Sequence, residues 1–154
     1  FDRAITVGVA ATPGAFMASA NLVNISLASA TTFLNDVAAG TLSSTSIVNL
    51  SLPSAITLAA YLLFGNTALE TFNAPLATDL GSSGMKNCTS ATLINIPLCV
   101  NLGANPADAS VFNNITGQTI TLNIAAVNAT NNGGGVHASV AYLIANNTAT
   151  VNYI

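Results

Sequence analysis

Apolar residues recur at every second position through most of this chain, and that alternation constrains the fold more than any other feature. Ile5, Val7 and Val9 are separated by Thr6 and Gly8, Val23, Ile25 and Leu27 by Asn24 and Ser26, and Val48, Leu50 and Leu52 by Asn49 and Ser51. Ile120, Leu122 and Ile124 repeat the pattern around Thr121 and Asn123, and Val136, Ala138, Val140, Tyr142 and Ile144 extend it. Ala149, Val151 and Tyr153 close the chain. Successive side chains of a strand point to opposite faces, so each run predicts a half-buried strand.

Helical signal is scarcer. Ser54–Phe64, preceded by Pro53, fits a short helix or a buried strand, and Thr67–Asn73 fits one turn of helix before Pro75. Turn chemistry falls at Asn66, Gly81–Gly84, Asn105-Pro106 and Asn131–Gly135. Many short strands between such turns predict a mostly β chain, an antiparallel β-sandwich of Ig-like or jelly-roll-like type with at most one or two short helices. No internal repeat and no interdomain boundary stands out. The expected organisation is an N-terminal strand and hinge at residues 1–14, the hinge lying around Thr12-Pro13-Gly14, followed by one sandwich domain at 15–154.

Charge is what this chain lacks. Only 5% of its 154 residues are charged, and the only basic ones are Arg3 and Lys86, against roughly 25% charged in ordinary soluble domains. Two cations cannot neutralise a run of phosphates, which excludes nucleic acid as a partner, and the same shortage excludes a polybasic membrane patch. Disorder requires low hydrophobicity or high net charge, and this chain is 51% hydrophobic with a net charge of -3. The longest apolar stretch, Ala55–Phe64, is about half of the roughly 20 residues that span a bilayer, so no membrane insertion is expected. A chain beginning with Phe1 reads as a processed product or an ordered fragment, and loss of a secretory signal would place it outside the cell. Cys88 and Cys99 agree with that placement. Their spacing suits a small disulfide-closed loop, worth roughly 2 to 3 kcal/mol by loop entropy, with two unrelated buried thiols as the alternative.

Catalytic and metal chemistry has little to work with. His137 is the only histidine, next to a triple-glycine turn on an expected strand where it would face solvent or a polar neighbour, and Asp2, Asp36, Glu70, Asp79 and Asp108 show no metal-ligand spacing. No nucleophile elbow, phosphate loop or dinucleotide fingerprint is present. The chain therefore reads as neither an enzyme nor a metal or cofactor binder.

The recurrent motif is Asn-x-Ser/Thr, at Asn24, Asn49, Asn87, Asn114, Asn128 and Asn146. Each is an expected N-glycosylation acceptor. At Asn24 and Asn49 the asparagine and the hydroxyl residue two positions on share the polar strand face, which points both outward. N-linked glycans would also hydrate a surface built from neutral amides and hydroxyls.

The run Phe1-Asp2-Arg3-Ala4-Ile5-Thr6-Val7-Gly8-Val9-Ala10, followed by Ala15-Phe16-Met17-Ala18, resembles the start of mature archaeal surface proteins related to TasA, the bundling pilins, with glycosylated archaeal threads as the nearest relatives in style. The resemblance covers about 20 residues. It implies a β-sandwich with an open groove filled by the neighbouring subunit's N-terminal strand, with Ile5, Val7 and Val9 as the inserted side chains. The expected function is then a structural subunit of an extracellular pilus or thread, a homopolymer growing head to tail by donor-strand complementation and serving adhesion, cell-cell contact or biofilm formation. Two alternatives stand beside it. One is a glycosylated capsid or surface-layer component; the other is a secreted carbohydrate-binding module, which the absence of Trp disfavours.

Overall fold

The structure is a computed structural model that describes residues 6–7, 23–33, 42–43 and 46–154. Among the described residues, eleven strands fall into two sheets, and every strand pair within them is parallel. The six-stranded sheet runs β11 (Thr148–Tyr153), β10 (Thr119–Ile124), β8 (Leu93–Ile96), β6 (Thr71–Asn73), β4 (Asn49–Ser51) and β2 (Asn24–Ser26). The five-stranded sheet runs β1 (Thr6–Val7), β3 (Thr32–Phe33), β5 (Thr57–Leu58), β7 (Asp79–Leu80) and β9 (Asn101–Leu102). The chain visits the two sheets alternately and returns over an irregular third side, winding a β-solenoid of about five turns.

This corrects the expected antiparallel sandwich, Ig-like or jelly-roll-like. Period-two alternation says that one face of a strand is buried, and it says so equally for antiparallel hairpins and for stacked parallel coils. With the sandwich goes the groove that a donor strand would fill. Of the expected donor residues, Val7 lies in β1, where it is in register with Phe33 of β3 in the same chain; Ile5 and Val9 lie outside the described residues.

One local device makes each coil turn the corner from the larger sheet to the smaller. The amide of Ala55 donates to the Leu52 carbonyl at 3.2 Å, that of Ala77 to Ala74 at 3.1 Å, and that of Cys99 to Ile96 at 3.0 Å. Each is a four-residue turn whose second residue is Pro53, Pro75 or Pro97, the position where proline's fixed φ is already correct. Corresponding residues stand 22 positions apart in these coils, so the sequence Leu52-Pro53-Ser54-Ala55 recurs as Ala74-Pro75-Leu76-Ala77 and Ile96-Pro97-Leu98-Cys99. The chain thus carries an internal repeat that the sequence reading lacks. The first and last coils are longer, with partners 25, 28 and 29 positions apart.

Stacking converts the repeat into a core. Ile25, Leu50, Phe72, Ile94 and Leu122 form one buried row, Leu27, Leu52, Ala74, Ile96 and Ile124 a second, and Phe33, Leu58, Leu80 and Leu102 a third from the opposite sheet. Each large side chain so buried contributes roughly 1.5 to 3 kcal/mol. The third side is tied coil to coil by the amides of Leu42, Leu63 and Met85, which donate to the carbonyls of Leu62, Gly84 and Val111.

Three further expectations change. The alternating run at Val136–Ile144 forms not a strand but helix α1 (Ala138–Asn146), which buries Ser139, Val140 and Leu143 and leaves Ile144 exposed; these buried residues sit at helical spacing in an alanine-containing segment. Thr67–Asn73 ends in β6 rather than in a helical turn. Cys88 and Cys99 are both buried and free. The Cys88 thiol donates to the Leu63 carbonyl at 3.2 Å and the Cys99 thiol to the Asn101 carbonyl at 3.4 Å, so the two sulfurs are committed to different partners and the expected disulfide does not close the loop.

Candidate functional surface

The outer face of the six-stranded sheet carries the most regular chemistry in the molecule. One outward row reads Asn24, Asn49, Thr71, Leu93, Thr121 and Thr150; the next reads Ser26, Ser51, Asn73, Asn95, Asn123 and Asn152. All of these are uncharged. In the second row the amides form a ladder: Asn95 Nδ2 donates to Asn73 Oδ1 at 2.6 Å, Asn123 to Asn95 at 2.9 Å, and Asn152 to Asn123 at 2.8 Å. Asn49 donates to Asn24 in the first row at 2.8 Å, Asn101 to Asp79 on the other sheet at 2.6 Å, and Asn114 to Asn87 on the third side at 2.8 Å. In every case the later coil donates to the earlier. Strands about 4.8 Å apart bring equivalent amides within hydrogen-bond reach, which is why in-register parallel stacking favours asparagine. The face is a shallow open trough of about 710 Å³, with Asn24, Asn49, Asn73 and Asn95 among its walls.

The six sequon asparagines occupy different environments. Asn24 and Asn49 sit on this face and are exposed, with Ser26 and Ser51 pointing the same way. Asn87 and Asn114 are paired on the third side, both with left-handed backbone (φ 66° and 63°), and Asn146 ends α1 with its Nδ2 on the Tyr142 carbonyl. Asn128 is different. It takes the corner position that Ala55, Ala77 and Cys99 fill in earlier coils, is 0% exposed, and donates from Nδ2 to the carbonyls of Cys99 at 2.7 Å and Ala125 at 3.3 Å. A glycan on that nitrogen would have to displace the corner, so in this fold Asn128 is a structural residue.

A second concavity, of about 510 Å³, lies where the last coils meet α1 and includes Val100, Asn105, Val127 and His137 in its lining. His137 does not face solvent as expected from sequence; it is 1% exposed and caps α1. Its Nδ1 accepts from the Ser139 amide at 3.2 Å, which fixes the proton on Nε2, and Nε2 donates to the Leu102 carbonyl at 3.0 Å. Burial pulls the imidazole below its ordinary pKa, against the Leu102 bond and the negative charge of Asp108. Burial also pushes the Asp108 carboxyl up, but bonds from Ser110, Ser82 and the Ala104 amide outweigh it and hold the group well below the usual carboxylate range. Ser139 completes the cluster by donating to the Asp108 carbonyl at 2.5 Å. Every polar atom of the imidazole is thus committed to holding α1 on the loop at 102–111. Burial drives both thiols up to about 12, assisted at Cys99 by the nearby Asp79.

Among the described residues no group of three or more His, Cys, Asp or Glu side chains could hold a metal ion, and no helix is long and apolar enough to cross a membrane. The asparagine ladder is the feature that sequence reasoning missed, and the recurrence of Asn73 and Asn95 at the interval of the prolines was its signal. No protein-family model, curated protein or solved structure matches the chain.

Proposed function

We propose that this chain is a structural subunit of an extracellular filament serving adhesion, cell-cell contact or biofilm formation, and that it polymerises along the axis of its solenoid rather than by strand insertion into a sandwich. The observation that carries this reading is the uninterrupted parallel six-stranded sheet with its uncharged outward rows and unidirectional amide ladder. Such a stack is a one-dimensional object in which each coil contacts its neighbours alone, and its stability and its growth share one direction. A surface with so little charge repels a second copy weakly. N-glycans at exposed sequons such as Asn49 or Asn146 would keep the sides hydrated while leaving the ends free to stack.

The trough on the sheet face favours a second reading, a secreted module that binds a neutral, hydroxyl-rich carbohydrate through its amides. Electron microscopy of natively purified material separates the two. Filaments support the structural reading; monodisperse particles that bind a neutral polysaccharide column would overturn it in favour of the module.

A further inference from the structure

Among the described residues, the two ends of the six-stranded sheet are complementary and neither edge is paired. Strand β11 pairs with β10 at six registers, Thr119↔Thr148 through Ile124↔Tyr153, and its other edge has no partner among the described residues. The same holds for β2 on the side away from β4. Exposed edge strands ordinarily carry Lys, Pro or a bulge that blocks pairing with another chain. Thr148–Tyr153 and Asn24–Ser26 contain no charged residue and no proline.

The buried rows point the same way. In the row Ile25, Leu50, Phe72, Ile94, Leu122 the next rung is Val151, which is only partly buried, and beyond fully buried Ile124 comes Tyr153 at 37% exposure. Ile154 follows at 65%. The ladder has the same unfinished end, because Asn95, Asn123 and Asn152 each donate backward and Asn152 Oδ1 receives no bond from the described residues. The row at the opposite end begins with the exposed hydroxyl of Ser26, which is able to donate.

We infer that β2 of a second copy of this chain pairs in parallel with the free edge of β11, joining consecutive six-stranded sheets into one. Resting on the filament reading above, this names its interface. In the register that continues both rows, Thr150 faces Asn24, Val151 meets Ile25 and Asn152 meets Ser26. Val151 is then buried between Leu122 and the second copy's Ile25, and the Ser26 hydroxyl fills Asn152 Oδ1. The contact is heterologous, since the two edges differ, and such a contact propagates as an open fibre unless its rotation closes a ring.

The test uses the double variant Thr150→Cys/Asn24→Cys, whose new thiols lie on the solvent face, with each single variant as a control for folding and for chance pairing. Native Cys88 and Cys99 are buried and stay out of the reaction. Mild oxidation of the double variant should give a covalent series on a non-reducing gel extending well beyond the dimer, whereas each single variant should stop at the dimer. Filaments under the microscope without that series would overturn the proposed register while leaving the filament reading intact. No filaments and no series from a folded double variant would remove both.

Discussion

Replacing Gly81 with alanine tests the coil stacking itself. A Cβ built at Gly81 would meet the backbone nitrogen of Ala60 in the preceding coil, with the Ala60 Cα at 2.7 Å and the Ala59 carbonyl carbon at 2.8 Å. These are backbone atoms, so no side-chain rotamer relieves the clash. Ordinary carbon contacts lie at about 3.5 to 4.0 Å, and restoring them requires the two coils to separate locally by about 1 Å. That displacement falls on the bonds from Gly81 to the Leu58 carbonyl at 2.9 Å, from Tyr61 to Ser82 at 3.1 Å and from Leu63 to Gly84 at 2.8 Å. Overpacking costs about 1 to 3 kcal/mol, and weakening two or three backbone bonds adds about 1 kcal/mol each, so Gly81→Ala should lose about 3 to 6 kcal/mol. Gly133→Ala is the comparison: nothing lies within 4 Å of its Cβ, and its φ of +60° alone should cost about 1 kcal/mol. Urea unfolding followed by circular dichroism measures both. A Gly81→Ala protein within 1 kcal/mol of the parent would refute the close approach of these coils and the stacking argument built on it.

Three further outcomes are expected. The unfolded imidazole of His137 protonates near 6.5 while the folded one resists it, so the unfolded state binds more protons and stability should fall as pH drops from about 6.5 through the lower folded value. His137→Asn, which keeps a capping side chain but does not titrate, should flatten that part of a Tm-against-pH curve, and an unchanged slope would contradict the assignment. Cys88 and Cys99 should be almost unreactive toward a thiol reagent in the native protein at pH 8 and fully reactive in denaturant; rapid native labelling would show that they are not buried as described. Asn24 and Asn49 stand on adjacent strands about 4.8 Å apart and are hydrogen-bonded to each other, too close for two glycans side by side. Intact-mass analysis of glycopeptides should therefore find at most one of the two occupied on any molecule, and routine double occupancy would refute this.

Much of the strand inventory is legible in the sequence, because Asn24-Ile25-Ser26, Asn49-Leu50-Ser51 and the runs at 119–124 and 148–153 alternate as any half-buried strand must. Strand direction is not, since the same alternation serves parallel and antiparallel neighbours. The deciding information was the matched prolines Pro53, Pro75 and Pro97, each opening a turn, and it was diluted by the longer coils on either side. The outward placement of Asn24 and Asn49 followed from period two, whereas the burial of Asn128 did not, because its environment is set by Cys99 of the coil before it. His137 was misread for a related reason: the alternation from Val136 to Ile144 fits a strand by count, and only packing of Val140 and Leu143 against the last coil selects a helix.

The unequal coil lengths determine where this protein tolerates change. From the larger sheet to the smaller, the step is constant: Ser26 to Thr32, Ser51 to Thr57, Asn73 to Asp79 and Asn95 to Asn101 stand the same distance apart in sequence, because the corner turn has a fixed size. The coils with 25- and 28-residue spacings keep this step and take up their extra residues on the way back. That return path, and in particular the exposed turn at Gly133-Gly134, is where added residues would loop outward without altering either sheet's register or the amide ladder. An inserted peptide or affinity tag there should leave the fold intact, while one extra residue between Asn73 and Asp79 would put every later rung out of phase.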